Sequence, residues 1–202
     1  MTVQPVRLFG DPVLRARADE VGAFDRELRQ LVTDLTDTMK ASGGVGMAAP
    51  QIGVGLRVFV YDTVHASRAG TPRAGHLINP SYEVIGDEEQ TGVEGCLSIP
   101  GLRYDVTRAQ RVVARGVDVD GNPVDFDAEG LLARCVQHET DHLDGVLYLQ
   151  RLDPAARKQA MREVRESDWF RAGRTVMSAA DVVSARGAVL PSGESTAAGR
   201  ER

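Results

Sequence analysis

The sequence predicts an α+β fold: antiparallel β-sheets around a central helix that carries a His-Glu-x-x-His motif, with a further helix toward the C-terminus. Apolar residues recur at helical spacing before residue 43 and again after residue 127, whereas the stretch between alternates and is punctuated by turn residues. The connections between these short strands are too brief for helical crossovers, which makes the pairing antiparallel. The order helix, strands, helix, helix belongs to the α+β class.

The first helix starts at Asp25, a capping residue. Leu28, Leu31, Val32, Leu35 and Met39 follow on one face, and Gly43-Gly44 stops it. Gly44 to Gly55 is apolar but too rich in glycine for a comfortable helix or inner strand. Leu56–Tyr61, Leu77–Ile78 and Tyr82–Ile85 read as strands, with a turn at Asn79-Pro80-Ser81. Gln110–Val119 alternates, Asp120-Gly121 marks a hairpin turn, and Pro123–Phe126 returns. Asp127 is the expected cap of a helix running to about Leu143, with Gly145 just beyond it. Asp153-Pro154 opens the last helix, which runs to about Asp168. Past Phe170 no aromatic residue remains, and Ala, Gly, Ser and Arg dominate. The expected organisation is a domain over 1–170 and a mostly loose tail over 171–202, with Val182-Val183 and Val189-Leu190 able to dock.

A chain of 202 residues is long enough to bury a core without disulfide staples. With 42% hydrophobic and 26% charged residues it is not a disordered chain, and no apolar run is long enough to span a membrane. A net charge of −5 argues against a protein built to coat nucleic acid, and no sequence-specific nucleic-acid binding is expected. Two cysteines cannot form a disulfide scaffold, and Met1 to Gly10 lacks the pattern of a secretory signal. The expected location is the cytoplasm.

The sharpest local signal is His138-Glu139-Thr140-Asp141-His142. Histidines at i and i+4 share a helix face and can grip one metal ion, and the adjacent glutamate can reach a water on that ion. Such a site needs a third protein ligand. Cys135 lies seven residues before His142, about 10 Å along the helix axis. It is too far for a short thiol, and reads better as a buried small residue beside the site. Asp141 and Asp144 point off the ligand face and read as solvated residues or as partners of the ligands. Cys96 sits in Glu94-Gly95-Cys96-Leu97-Ser98-Ile99-Pro100, where an irregular backbone can aim a thiolate and a free N–H at one spot. Taken alone, Cys96 reads equally as buried apolar filler. Gly44-Val45-Gly46-Met47-Ala48-Ala49-Pro50-Gln51 lets a ligand or backbone approach closely, and Gln51 is its only long polar side chain.

In this order the three segments resemble the peptide deformylase family, through Gly-x-Gly-x-Ala-Ala-x-Gln at Gly44–Gln51, Glu-Gly-Cys-Leu-Ser at Glu94–Ser98 and Gln-His-Glu-x-Asp-His-Leu at Gln137–Leu143. The resemblance covers roughly Arg7 to Phe170. It implies that Cys96, His138 and His142 hold one divalent metal per chain, natively Fe²⁺, with Zn²⁺, Ni²⁺ or Co²⁺ able to replace it. A fourth position is left for water or hydroxide. Glu139 is then the general base and acid, and Gln51 with the backbone N–H of Leu97 stabilises the oxyanion. The implied reaction removes formyl from the N-terminal formyl-methionine of new polypeptides. The methionine side chain is expected in an apolar pocket lined by Val45, Leu131 and Cys135, with Gly46 crowding the formyl group.

Two other readings share the helix motif. An endopeptidase would usually take a downstream histidine or glutamate as third ligand, but no histidine follows His142, and Glu163 and Glu166 lie in a charged, solvated pattern. A structural metal site would fill the fourth position and leave Glu139 without a task. Residues 151–174 carry seven Arg or Lys against four Asp or Glu, a basic helix suited to a transient ribosome contact or simply to solvation.

Overall fold

The computed structural model describes residues 2–64, 66 and 72–187. Strand β1 (Val6–Arg7) leads through a short 3-10 turn into helix α1 (Arg26–Ala41). Strands β2 (Gly46–Ala48), β3 (Val58–Asp62), β4 (Ala74–Val84), β5 (Glu89–Cys96), β6 (Ile99–Ala109), β7 (Arg111–Val117) and β8 (Pro123–Glu129) follow. The chain then forms α2 (Leu131–Leu143), α3 (Pro154–Glu166), α4 (Asp168–Arg171), β9 (Val176–Met177) and α5 (Ala179–Gly187). One sheet has the order β2-β3-β4-β7-β8, and β5 pairs with β6 and β1 with β9, all antiparallel. The α+β class and antiparallel pairing are as the sequence predicts. Among the described residues no helix is long and apolar enough to cross a membrane.

Helix α1 starts where its cap predicts: the Asp25 carboxylate accepts the Leu28 N–H at 3.0 Å, and Leu28, Leu35 and Met39 are buried. Glycine-rich Gly46–Ala48 does enter the sheet, but as a three-residue edge strand that passes at once into a 3-10 turn over Ala49–Ile52. Helix α2 is the hub. Leu132 to Leu143 are all buried, with Leu132, Ala133, Cys135, Val136 and Leu143 packed on Phe59, Leu77, Val112, Ala114 and Phe126 of the sheet. Every polar side chain on such a helix must find a partner inside the protein or carry a cost.

Four expectations are corrected. Asp127 does not cap α2. It pairs with Val113 in β8, where Phe126 and Ala128 face inward, and the chain turns instead at Gly130 with φ 58°. Asn79-Pro80-Ser81 is a bulge within β4, not a turn between two strands. Asn79 takes φ 50°, and its amide bonds both the N–H and the C=O of Val21, which anchors the irregularity that Pro80 imposes on a strand. The helix opened by Asp153-Pro154 ends at Glu166, near the expected point, but it is not the last: α4 begins after Ser167 and α5 follows. Finally, residues 171–187 are not loose. Met177 and Val176 pair with Val6 and Arg7, the Leu8 N–H donates to the Thr175 carbonyl at 2.8 Å, and Val182 is fully buried. Val189-Leu190 lies outside the described residues, as does the rest of 188–202.

Candidate metal centre and its surroundings

Cys96 stands at the tip of the β5–β6 hairpin. Alternation along a strand puts Glu94 and Cys96 on the same face, and both are buried. Regular pairing runs to Gly95↔Arg103 and then shifts to Cys96↔Ile99, leaving Leu97 and Ser98 as a two-residue turn. This is the irregular backbone anticipated from Gly95 and Pro100. The Ser98 carbonyl accepts the Phe9 N–H at 2.8 Å, and the Pro100 carbonyl accepts the Trp169 indole N–H at 3.2 Å.

Helix α2 presents His138 and His142 one turn apart toward that tip, with ring centroids 5.0 Å apart. Ligand atoms of Cys96, His138 and His142 lie within 4.8 Å of one another, and Cys96 Sγ is 3.2 Å from His142 Nε2. His138 Nδ1 is bonded to Glu94 Oε2 at 3.0 Å, which leaves its Nε2 for the shared centre. The fit to a divalent metal rests on this donor set and on Glu139. One thiolate and two imidazoles suit a first-row ion of borderline softness. Glu139 Oε2 is a buried polar atom without a hydrogen-bond partner among the described residues. Burial pushes the Glu139 carboxyl up to about 7, with His138 pulling it down and Glu94 adding to the rise.

Gly46 and Gln51 come from the β2 edge and the turn after it. A Cβ on Gly46 would collide with Glu139 Oε1 and come within 2.7 Å of Cys135 Sγ, so only glycine fits there. Gln51 is buried, not a turn residue facing water. The Ala48 N–H must face an acceptor, and it donates to Gln51 Oε1 at 2.9 Å. That orients Gln51 Nε2 toward Ser98 Oγ at 3.2 Å and Cys96 Sγ at 3.6 Å. Cys135 is buried, and its thiol donates to the Val45 carbonyl at 3.5 Å, outside the donor set. Val45 and Leu131 are half-buried beside it.

Sequence reasoning left the partners of this centre unassigned. Arg108 grips Glu94 with two bonds of 2.9 and 3.0 Å, and Arg134 adds a third of 2.7 Å. Burial alone would raise the Glu94 carboxyl, but its bonds to His138 and Arg108 outweigh that and hold it down to about 2. Asp141 is not solvated: it is buried between Arg108, at 2.6 Å, and Arg151, at 2.5 Å. Asp144 is half-exposed and pairs with Arg57 at 2.7 Å. One signal for Glu94 was present, its i−2 relation to Cys96 on a strand. The arginines gave none, because each carboxylate partner is 10 to 87 residues away in sequence.

Comparison with known proteins places these residues in a family context. A family model described as polypeptide deformylase matches residues 3–158. The chain is 59% identical over 170 residues to peptide deformylase 1 of Corynebacterium efficiens, covering 84% of this chain and 99% of that one. It is 57% identical over 176 residues to a peptide deformylase of Acidothermus cellulolyticus, covering 87% and 92%. The crystal structure of peptide deformylase from Ehrlichia chaffeensis superposes with a TM-score of 0.78 at 32% identity, covering 85% and 99% of the two chains.

Proposed function

The chain belongs to the peptide deformylase family, and from that premise we propose how its own residues carry out the hydrolysis that removes an N-terminal formyl group. The observation that carries the reading is a buried, unpartnered carboxyl, Glu139, beside a Cys-His-His donor set. In this reading Cys96, His138 and His142 hold one divalent ion. Fe²⁺ is the native ion, and Zn²⁺, Ni²⁺ or Co²⁺ can take its place in the same donors. When bound, such an ion lowers the pKa of water toward neutrality and polarises a carbonyl.

Glu139 takes the proton of the attacking water at its free carboxylate oxygen and delivers it to the leaving amine. Burial raises the Glu139 carboxyl above the ordinary carboxylate range in the metal-free chain, and a carboxyl so raised can both accept and return a proton. The bond between the formyl carbon and the nitrogen breaks, giving formate and a free N-terminus. The Gln51 amide and the Leu97 N–H donate to the formyl oxygen as it gains negative charge, an effect worth roughly 3 kcal/mol for each donor lost. Glu94, held as an anion by two guanidinium groups, orients His138 and keeps its ring in one tautomer.

The substrate is the formyl-methionyl end of new polypeptides, met in the cytoplasm, with the methionine side chain along Val45, Gly46, Leu131 and Cys135. Residues 1–170 are the catalytic domain, and 171–187 pack onto it. The transient ribosome contact is assigned to α3, where Arg157, Lys158 and Arg165 flank a groove floored by Leu152 and Met161.

Selectivity tests this reading. A Cβ on Gly46 would collide with Glu139 Oε1, so backbone and carboxyl are already close there, and on this reading the formyl group between them is expected to leave no space for an added methyl. Overpacking costs about 1–3 kcal/mol, and an acetyl carbon is also less electrophilic. Formyl-Met-Ala is expected to be hydrolysed with kcat/KM more than about 100-fold above that of acetyl-Met-Ala. Comparable rates on the two peptides would mark a general amidase.

A further inference from the structure

Arg134 lies one turn before His138 on α2 and is buried, although it is not part of the donor set. A buried guanidinium is costly unless its donors are used, and here three contacts use them. Its Nη1 donates to Glu94 Oε1 at 2.7 Å and to the Val106 carbonyl at 2.8 Å, and its Nη2 donates to the Gln90 carbonyl at 3.1 Å. Gln90 belongs to β5 and Val106 to β6, so one side chain of the helix bonds both strands of the hairpin that carries Cys96. The guanidinium passes beside Gly92, the residue paired with Val106, where even a Cβ would make only an ordinary contact with Nη2. Arg108 also holds Glu94, but it travels with the hairpin and reaches α2 only through Asp141.

We propose that Arg134 is a positioning residue for the metal centre: it sets the Cys96-bearing hairpin at a fixed distance from the helix bearing His138 and His142, and presses Glu94 onto His138. The three ligands come from two elements 42 residues apart at the nearest pair, Cys96 and His138. Their mutual geometry therefore depends on what joins hairpin to helix. The inference rests on the Cys-His-His assignment made above.

The test uses the full chain loaded with Co²⁺, comparing Arg134→Met, Arg134→Lys and the core variant Val164→Ala, on α3 and outside the charged network, with the parent protein. Co²⁺ retention is measured by chelator competition at a temperature where each variant is folded, beside the visible absorption of the thiolate-bound ion. Partners that orient metal-ligating histidines are typically worth about 10–100-fold in affinity, so Arg134→Met is expected to weaken retention at least about tenfold and to alter the spectrum. Arg134→Lys keeps a cation on Glu94 but cannot reach both carbonyls, and should fall between. Val164→Ala should lose stability and keep both affinity and spectrum. If Arg134→Met does not fold, the lysine variant alone decides. Retention within twofold of the parent with an unchanged spectrum, or an equal loss in Val164→Ala, overturns the proposal. Failure of the parent protein itself to bind Co²⁺ would instead overturn the donor assignment.

Discussion

Glu139→Gln is expected to abolish turnover while leaving the metal bound. Glutamine keeps the size of the side chain, fits beside Gly46 as glutamate does, and cannot accept a proton. General acid–base catalysis is typically worth about 10²–10⁴-fold for one transfer, and Glu139 is assigned two. A fall in kcat of at least about 10³-fold, with metal content equal to the parent, is the predicted outcome. Burial also gives this variant a signature in stability. The folded carboxyl titrates near 7 against an ordinary value of 4.5, so it favours folding at low pH and that contribution is lost as pH rises toward and through 7. Glutamine has no such loss. Without metal, the variant should gain stability relative to the parent between about pH 4.5 and 7. Normal turnover would end the acid–base assignment.

Cys96→Ala should lose most of its metal and, with it, activity. A two-histidine remnant is a weak site, and the Gln51 amide now beside the sulfur is no substitute for a thiolate. Cys135→Ala is the matched control. Its sulfur packs near Gly46 and donates only to the Val45 carbonyl, so its removal leaves a small cavity costing about 1 kcal/mol with metal retained. Metal analysis of both proteins decides the matter. One tight equivalent surviving in Cys96→Ala would remove Cys96 from the ligand set.

The parts legible in the sequence are those whose signal is local. His138 and His142 share a helix face by spacing alone, Asp25 announces α1, and Asp120-Gly121 announces the β7–β8 hairpin. Cys96 was readable only beside the other two motifs, since a lone cysteine is usually buried filler. The Glu94, Arg108, Arg134 and Asp141 network was not readable, because charge pairs across a fold leave no periodic trace. For Asp141 the sequence left open a solvated residue or a partner of the ligands, because spacing does not show that its helix is buried on every side; the structure favours the second, through Arg108 and Glu94. The C-terminal stretch misled for a similar reason: β9 is two residues long, and its value lies in β1, some 170 residues earlier. Asp127 misled because a good cap and an outward strand position call for the same residue type.

The most direct test of the whole account is metal content set against activity in protein purified without oxygen. Formate release from formyl-Met-Ala should track the content of one divalent ion per chain. That ion should be iron in anaerobic material, with activity falling in air as iron or the Cys96 thiolate oxidises. Exchange for Ni²⁺ or Co²⁺ should protect it. Chelation should abolish activity, and re-addition of the ion should restore it. Full formate release from protein stripped of metal would contradict the account at its centre.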